Sequence, residues 1–168
     1  MQIIRLHGDV PRYNIHGSAE PLAGLWRTLA AAGAMPVGES AWRLGKILAG
    51  EPTVYTETSE HFVAQMLGLE ELGAINFKKG CYTGQEVIAR AHYRGAVKRH
   101  MLRAECRSTE DMRPGTPISL QGIEQAVAEV VDACLDAAGM TQLLLVIQDD
   151  DRDAKLSLRD GSQVFLLG

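Results

Sequence analysis

The sequence predicts an α+β protein in which a helical amino-terminal part precedes a small antiparallel β-barrel or sandwich. Two changes of pattern indicate this fold. Apolar residues recur at helical spacing between residues 18 and 95, whereas from Val97 onward they alternate with polar residues at period two. Turn signals such as Pro114-Gly115 separate the later apolar runs, as they do between short antiparallel strands. We therefore expect two units, residues 1–95 and residues 96–168.

The first unit begins with two predicted strands, residues 3–6 and 12–15, joined by a turn at Gly8-Asp9. A first helix follows, which Ser18 can cap and Gly33 ends. A second helix is predicted over residues 40–49 because Ala41, Leu44, Ile47 and Leu48 form an apolar seam. On a helical wheel Trp42 lies nearly opposite this seam.

Residues 53–78 are predicted to be irregular, with a short helical piece around residues 62–67. A third helix then starts after Thr83, since Thr83 and Glu86 stand in the T-x-x-E relation of a capping box. Its predicted buried stripe consists of Val87, Ile88 and Ala91, and Gly95 ends it.

The second unit is predicted to be built from strands. In the first of them, Leu102, Ala104 and Cys106 point inward and alternate with charged residues. Further apolar runs occur at residues 127–131, 143–147, 156–158 and 164–167, and short polar turns separate them. Several short strands at such spacing favour a small barrel or sandwich.

Composition favours a soluble globular protein. The chain of 168 residues is 46% apolar, which suffices for a core, and no apolar run reaches the roughly 20 residues of a membrane helix. Since a secretory signal is also absent, we expect a cytoplasmic protein without a membrane partner. The three cysteines lack C-x-x-C spacing, which argues for free thiols rather than disulfides or a zinc site.

The amino-terminal unit has too few strands to cover its own apolar faces. We therefore expect it to be part of something larger, either as a fragment or in contact with another subunit. Exposed apolar surface would also allow the chain to self-associate.

Charge is unevenly distributed along the chain. Residues 78–107 hold eight basic side chains against two acidic ones, a local charge of +6 in a protein of net charge −4. This segment suits an anionic ligand or partner, and a solvated charged face explains it equally well.

Cys81 is the candidate catalytic residue. It lies two residues before Thr83, the predicted cap of the third helix, and only Gly80 separates it from Lys78 and Lys79. A helix amino terminus and neighbouring ammonium groups both favour the thiolate, although an ordinary half-buried cysteine is the alternative. The histidines form no ligand set, so no metal site is predicted.

The third helix presents a row of charged side chains. Glu86, Arg90 and Arg94 follow one another at i, i+4 spacing, which is typical of a surface ion-pair ladder. The same row could bind a carboxylate or phosphate, while Gln85 and Glu86 could pair with a polar heterocycle. Trp42 would meet either a ligand ring or a packing partner.

Three stretches resemble the YgfZ family, whose signature is K-G-C-[FY]-x-G-Q-E-x-x-x-R. The matching string is K-G-C-Y-T-G-Q-E at residues 79–86, followed by Arg90 and by Arg94-Gly95. Trp42, Lys46, Ala49-Gly50 and Pro52 resemble the family's W-x-x-x-R-I-x-A-G-x-P, with Lys46 in place of arginine. Phe62 and Gln65 resemble its F-x-P-Q stretch, with Ala64 in place of proline.

This resemblance implies the carboxy-terminal half of an architecture related to the glycine-cleavage aminomethyltransferase. Residues 1–95 would be a partial aminomethyltransferase-like folate-binding domain, and residues 96–168 would be a small antiparallel Greek-key β-barrel. The implied function is that of a folate-binding accessory protein for iron-sulfur cluster assembly or repair and for iron-sulfur-dependent tRNA modification. Tetrahydrofolate or another folate would be the cofactor, and iron-sulfur proteins the partners.

By residue-by-residue comparison, Cys81 matches the signature cysteine and Trp42 a tryptophan associated with folate binding. The predicted folate-binding set is Trp42, Lys46, Tyr82, Gln85, Glu86, Arg90 and Arg94. A true aminomethyltransferase is the alternative, and it would need an acidic residue from sequence not present here. An RNA-binding module is a third reading, but Tyr82 and Tyr93 are too few for a stacking platform, so no direct contact with nucleic acid is expected.

Overall fold

The computed structural model describes residues 1–95, 97–108 and 111–167, with the side chain of Arg94 outside the described part. The first unit contains β1 (Gln2–Arg5), β2 (Tyr13–His16), α1 (Ala19–Ala31), α2 (Glu39–Leu48) and α3 (Gln85–Arg94). The second contains β3 (Arg99–Cys106), β4 (Pro117–Leu120), β5 (Ala126–Leu135), β6 (Thr141–Gln148), β7 (Leu156–Ser157) and β8 (Gln163–Leu167). The fold is thus α+β, as predicted.

The carboxy-terminal strands form a closed antiparallel barrel of six strands in the order β3-β6-β5-β4-β7-β8. The run β3-β6-β5-β4 has Greek-key order. Strands β4, β5 and β6 follow one another as hairpins, and β3 pairs with β6 at the end of this series. Ala104 and Cys106 of β3 are completely buried in the barrel core, and Leu102 packs against it. The predicted alternation of β3 is therefore confirmed.

A second apolar cluster lies on the outer face of the barrel. Val131, Leu144 and Val146 of the barrel pack there against Ile47 of α2 and Leu67. This cluster joins α2 and the segment after it to β5 and β6, so the helix that carries Trp42 rests on the barrel. The predicted division at residue 95 stays a prediction, and this cluster spans it.

The amino-terminal hairpin and α1 are largely exposed. β1 pairs with β2 in an antiparallel two-stranded sheet, and α1 contains no buried residue. Trp26 of α1 is 60% exposed, and Ile3 of β1 is 59% exposed. This confirms the expectation that the amino-terminal part presents apolar surface.

Two predictions about local structure before α3 are wrong. Residues 62–67 form turns rather than a helical piece. The predicted capping box of Thr83 and Glu86 is also absent, because Gly84 occupies the N-cap position with φ of 87° and no side chain caps the helix. A left-handed backbone favours glycine, which explains why the cap lies one residue later than predicted.

Two predicted apolar seams also need correction. Val87 is 58% exposed, so the buried side of α3 does not include it. On α2, Ile47 is buried as predicted, but Ala41 and Leu48 are exposed because the barrel contacts a narrower face of the helix. Among the described residues, no helix is both long and apolar enough to cross a membrane.

Candidate functional site

Trp42 lies on the exposed side of α2, as its position opposite the apolar seam predicts. Its side chain remains 39% exposed, and the guanidinium carbon of Arg12 lies 5.9 Å from the ring centroid. At this distance a cation contributes a weak attraction to the ring. The arrangement leaves part of the aromatic surface open to a planar partner.

Arg12 is the buried charge beside that ring. Its Nη2 donates to the carbonyl oxygen of His7 at 2.8 Å and to Glu51 Oε2 at 3.0 Å. Its Nε and Nη1 are buried and have no acceptor among the described residues. A buried donor without an acceptor costs about 1–3 kcal/mol, so these two groups favour the binding of an acceptor.

The β1–β2 turn holds Arg12 against the end of α2. Gly8 in this turn has φ of 128°, and a Cβ built on it would lie only 3.2 Å from the Cβ of Ala49. A side chain at Gly8 would therefore push the hairpin away from α2. Glycine is needed here both for the backbone angle and for the close approach.

Lys46, one helical turn after Trp42, is already engaged. Its Nζ donates to Thr53 Oγ1 at 2.6 Å and lies 3.6 Å from Glu51 Oε1. Glu51 thus links Lys46 to Arg12. We call the set Arg12, Trp42, Lys46 and Glu51 the α2 cluster.

The second group of predicted residues lies around the turn before α3. The Tyr82 N–H donates to Gln85 Oε1 at 3.2 Å, and Lys79 Nζ lies 4.5 Å from the centre of the Tyr82 ring. Gln85 therefore closes the turn from within the helix, in place of the predicted Thr83 cap. We call residues 79–86 the K-G-C turn.

Charged side chains on α3 point into solvent. Glu86 and Arg90 form an i, i+4 pair at 3.8 Å, with exposed fractions of 90% and 72%. Such an exposed pair contributes little to stability, which leaves both groups available to a partner. The predicted role of the Arg94 side chain lies outside the described residues.

Cys81 is the exposed thiol of the chain's three cysteines, all of which are free. Cys106 is buried, and this burial, followed by the charge of Asp160, raises its pKa to about 11. Burial also raises the pKa of Cys134, whose sulfur lies 3.4 Å from the carbonyl oxygen of Ser40. Of the three, Cys81 is therefore the thiol most open to a reagent or partner.

The predicted site residues fall into two groups. Trp42 and Lys46 share contacts within the α2 cluster, whereas Tyr82, Gln85, Glu86 and Arg90 contact one another or residues beside them. No recorded hydrogen bond, ion pair or ring contact joins the two groups within residues 1–95, 97–108 and 111–167. In those same ranges, no group of three or more His, Cys, Asp and Glu side chains could hold a metal ion.

Sequence reasoning missed Arg12 and Glu51 as parts of the site. They lie 30 residues before and nine residues after Trp42 in the chain, and neither belongs to a charge pattern. The signal that could have pointed to Glu51 is its place within the Ala49-Gly50-x-Pro52 stretch. The sequence contains no signal that would have pointed to Arg12.

Comparison with known proteins gives consistent matches at the level of sequence, although no family model matches the chain. A protein of Serratia proteamaculans named tRNA-modifying protein YgfZ is 36% identical over 122 residues, covering 71% of this chain and 37% of that protein. A protein of the same name from Colwellia psychrerythraea is 39% identical over 101 residues, covering 60% and 30%. One from Vibrio atlanticus is 36% identical over 118 residues, covering 70% and 34%.

The matched region spans about a third of the length of these curated relatives. The chain is thus homologous, over part of its length, to the YgfZ proteins.

Proposed function

We propose that this chain forms part of a folate-binding accessory protein that supports iron-sulfur cluster assembly or repair and iron-sulfur-dependent tRNA modification. Support for a role in tRNA modification comes from the relatives, which are named as tRNA-modifying proteins. Support for folate comes from the geometry of the α2 cluster. The single observation that carries the proposal is the half-exposed Trp42 ring beside the unpartnered donors of Arg12.

A folate has the chemical groups that the α2 cluster lacks. Its pterin and aminobenzoyl rings are planar and can stack on the open part of the Trp42 ring. Its carbonyl and carboxylate oxygens can accept the Nε and Nη1 hydrogens of Arg12, which no described residue accepts, once a change of rotamer exposes these buried atoms. Lys46 pairs with Glu51, and Glu51 also pairs with Arg12. Lys46 and Glu51 would therefore hold Arg12 in position rather than make the main contacts with the ligand.

The K-G-C turn would supply the part of the site that acts on a partner. Cys81 is exposed there between Lys79 and Tyr82, and the ammonium of Lys79 lies over the Tyr82 ring. Exposed cysteines act as nucleophiles and metal ligands in cysteine chemistry, and the exposure of Cys81 leaves its sulfur open to a partner. Gln85, Glu86 and Arg90 add donors and acceptors that could hold a polar heterocycle or an acidic partner.

Genetic complementation tests this function. The chain is placed in a chimera in which it replaces its matched segment of the Serratia proteamaculans relative, in cells with an iron-sulfur maintenance defect. We expect Cys81→Ser to abolish complementation, because serine preserves volume and hydrogen bonding but has no sulfur. The matched control is Cys134→Ser, which should complement, and full complementation by Cys81→Ser would contradict the role of the thiol.

A binding comparison separates this proposal from an RNA-binding module that would use the basic segment, residues 78–107. The same chimera is titrated with tetrahydrofolate and, separately, with transfer RNA. Saturable binding of tetrahydrofolate with only salt-sensitive, weak binding of RNA supports the proposal. Tight RNA binding without folate binding would contradict it.

A further inference from the structure

A cavity of about 320 Å³ lies between the end of α2, the turns of residues 65–72 and β3. It is separate from the α2 cluster and from the K-G-C turn. Met66, Leu72 and Leu144 supply apolar walls, and four polar side chains line it with them: Gln65, Glu71, His100 and Arg103. His100 is already paired with Asp149, at 2.7 Å. Its volume is at the small end of the range of about 300–1,000 Å³ for ligand pockets, so it suits a small molecule.

Two side chains of opposite charge line the cavity, the half-buried Arg103 and the exposed Glu71. Arg103 and Glu71 take part in no hydrogen bond or ion pair among the described residues, in contrast to Arg43, which pairs with Asp132. The Nε of Arg103 is buried without an acceptor. The cavity therefore offers a guanidinium with a buried unused donor on one side and a solvent-exposed carboxylate on the other.

Gln65 adds an unused acceptor. Its Nε2 donates to the carbonyl oxygen of Ile88 on α3 at 2.7 Å, which fixes the orientation of the amide. Its Oε1 is buried and has no donor. Within the described residues, three side chains carry buried polar atoms without partners, and two of them, Gln65 and Arg103, line this cavity.

From this arrangement we propose that the cavity binds a small α-amino acid with an aliphatic side chain. The carboxylate would accept from Arg103 Nε, and the ammonium would donate to Gln65 Oε1 and pair with Glu71. The aliphatic part would lie against Met66, Leu72 and Leu144. Gln65 Oε1 and Arg103 Nε are shielded from solvent, so the ligand reaches them after a change of rotamer at the cavity wall.

This inference goes beyond the proposed folate function, because it uses neither Trp42 nor Cys81. It also links the cavity to α3. The amide of Gln65 contacts Ile88 through its nitrogen and the ligand through its oxygen, so the bound amino acid would hold the helix behind the K-G-C turn more firmly.

The test is a titration of the unmodified 168-residue chain with L-leucine, followed by NMR of the methionine methyl groups. We expect the signals of Met66 and Met101, which both line the cavity, to shift with saturation. Two analogues dissect the ligand: 4-methylpentanoate lacks the ammonium, and 3-methylbutylamine lacks the carboxylate. Each should bind at least about tenfold more weakly than leucine, because each leaves one charge of the cavity unpaired.

Variants provide the second arm. Arg103→Ala and Glu71→Gln should each abolish the leucine-dependent shifts, whereas Arg107→Ala and Glu20→Gln, which change exposed residues away from the cavity, should preserve them. The proposal would be overturned if the Met66 and Met101 signals did not shift at leucine concentrations up to about 10 mM. The dissociation constant would then be too large for binding at about 1 mM leucine. Binding of either analogue as tightly as leucine would also overturn it. The analogue titrations use the unmodified chain, so they test the proposal even if a variant fails to fold.

Discussion

Arg43 of α2 and Asp132 of β5 form an ion pair, with 2.6 Å between Arg43 Nη2 and Asp132 Oδ1. Asp132 is completely buried and also accepts from the Tyr55 hydroxyl at 3.1 Å. Burial alone would lower the pKa of Arg43, but the hydrogen bond and the charge of Asp132 outweigh it and raise this pKa. The pair fastens the helix that carries Trp42 to the barrel.

Removing this carboxylate should therefore destabilise the whole chain. In Asp132→Ala, the Arg43 guanidinium and the Tyr55 hydroxyl lose their common acceptor, so we expect the free energy of unfolding to fall by about 3 kcal/mol. Urea denaturation at neutral pH measures it. The control is Asp153→Ala on an exposed turn, which should change stability by less than about 0.5 kcal/mol. An equally small effect of Asp132→Ala would contradict a locking role.

The thiols should react in the order of their accessibility. Limiting iodoacetamide at neutral pH should label Cys81 first, because Cys81 is exposed. Cys106 should react only after unfolding, since burial raises its pKa to about 11 and shields it from the reagent. Peptide mass spectrometry reads the order. Preferential labelling of Cys106 or Cys134 in the folded chain would be inconsistent with the proposed reactive thiol.

Asp149 should stabilise the chain in a pH-dependent way. Its hydrogen bond to His100 at 2.7 Å, together with Arg152 at 2.6 Å, holds the pKa of Asp149 below its ordinary value of 3.8. A depressed carboxyl pKa adds stability that is complete above the unfolded value and lost as the pH falls through the folded one.

Asp149→Asn should accordingly lower the urea midpoint at pH 7 and have a smaller effect at about pH 2, because the carboxylate is progressively protonated as the pH falls. Asp150→Asn, at the exposed neighbouring position, is the control and should leave the midpoint unchanged at both pH values. If the urea midpoint of Asp149→Asn were lowered as much at the low pH as at pH 7, the carboxylate charge would not be the cause of the lost stability.

The exposed apolar side chains of the amino-terminal part should cause self-association. We expect the average mass of the 168-residue chain in sedimentation equilibrium to rise with concentration, because large apolar patches favour contact. Trp26→Lys should reduce this rise. Phe165→Lys, which charges an exposed position on β8, should not. A monomer at all concentrations that also binds folate at micromolar affinity would contradict this expectation.

Regular patterns in the sequence predicted most of the architecture. The period-two alternation of Leu102, Ala104 and Cys106 placed the inner face of β3 correctly, because one face of a barrel strand must be buried. The seam of α2 was correct at Ile47 and too wide at Leu48. Which part of an apolar seam is covered depends on the barrel surface opposite it, and local periodicity does not contain that information.

The candidate site was harder to predict because it depends on distant residues. Trp42 could be singled out by its position on the helix, but its neighbour Arg12 comes from a hairpin 30 residues earlier. The cap of α3 was misplaced for a local reason. Thr83 fits the capping-box pattern, yet Gly84 adopts the left-handed angle and takes the N-cap position itself.

The most direct test of the folate proposal is the affinity of tetrahydrofolate for the chimera and for its Trp42→Ala variant, measured by isothermal titration calorimetry. Trp26→Ala, which removes the same ring from an exposed position on α1, is the matched control. We predict that Trp42→Ala weakens binding by more than about tenfold, roughly 1.4 kcal/mol, while Trp26→Ala leaves it unchanged. An unchanged affinity of the Trp42→Ala variant would contradict the proposal and leave Trp42 as a packing residue.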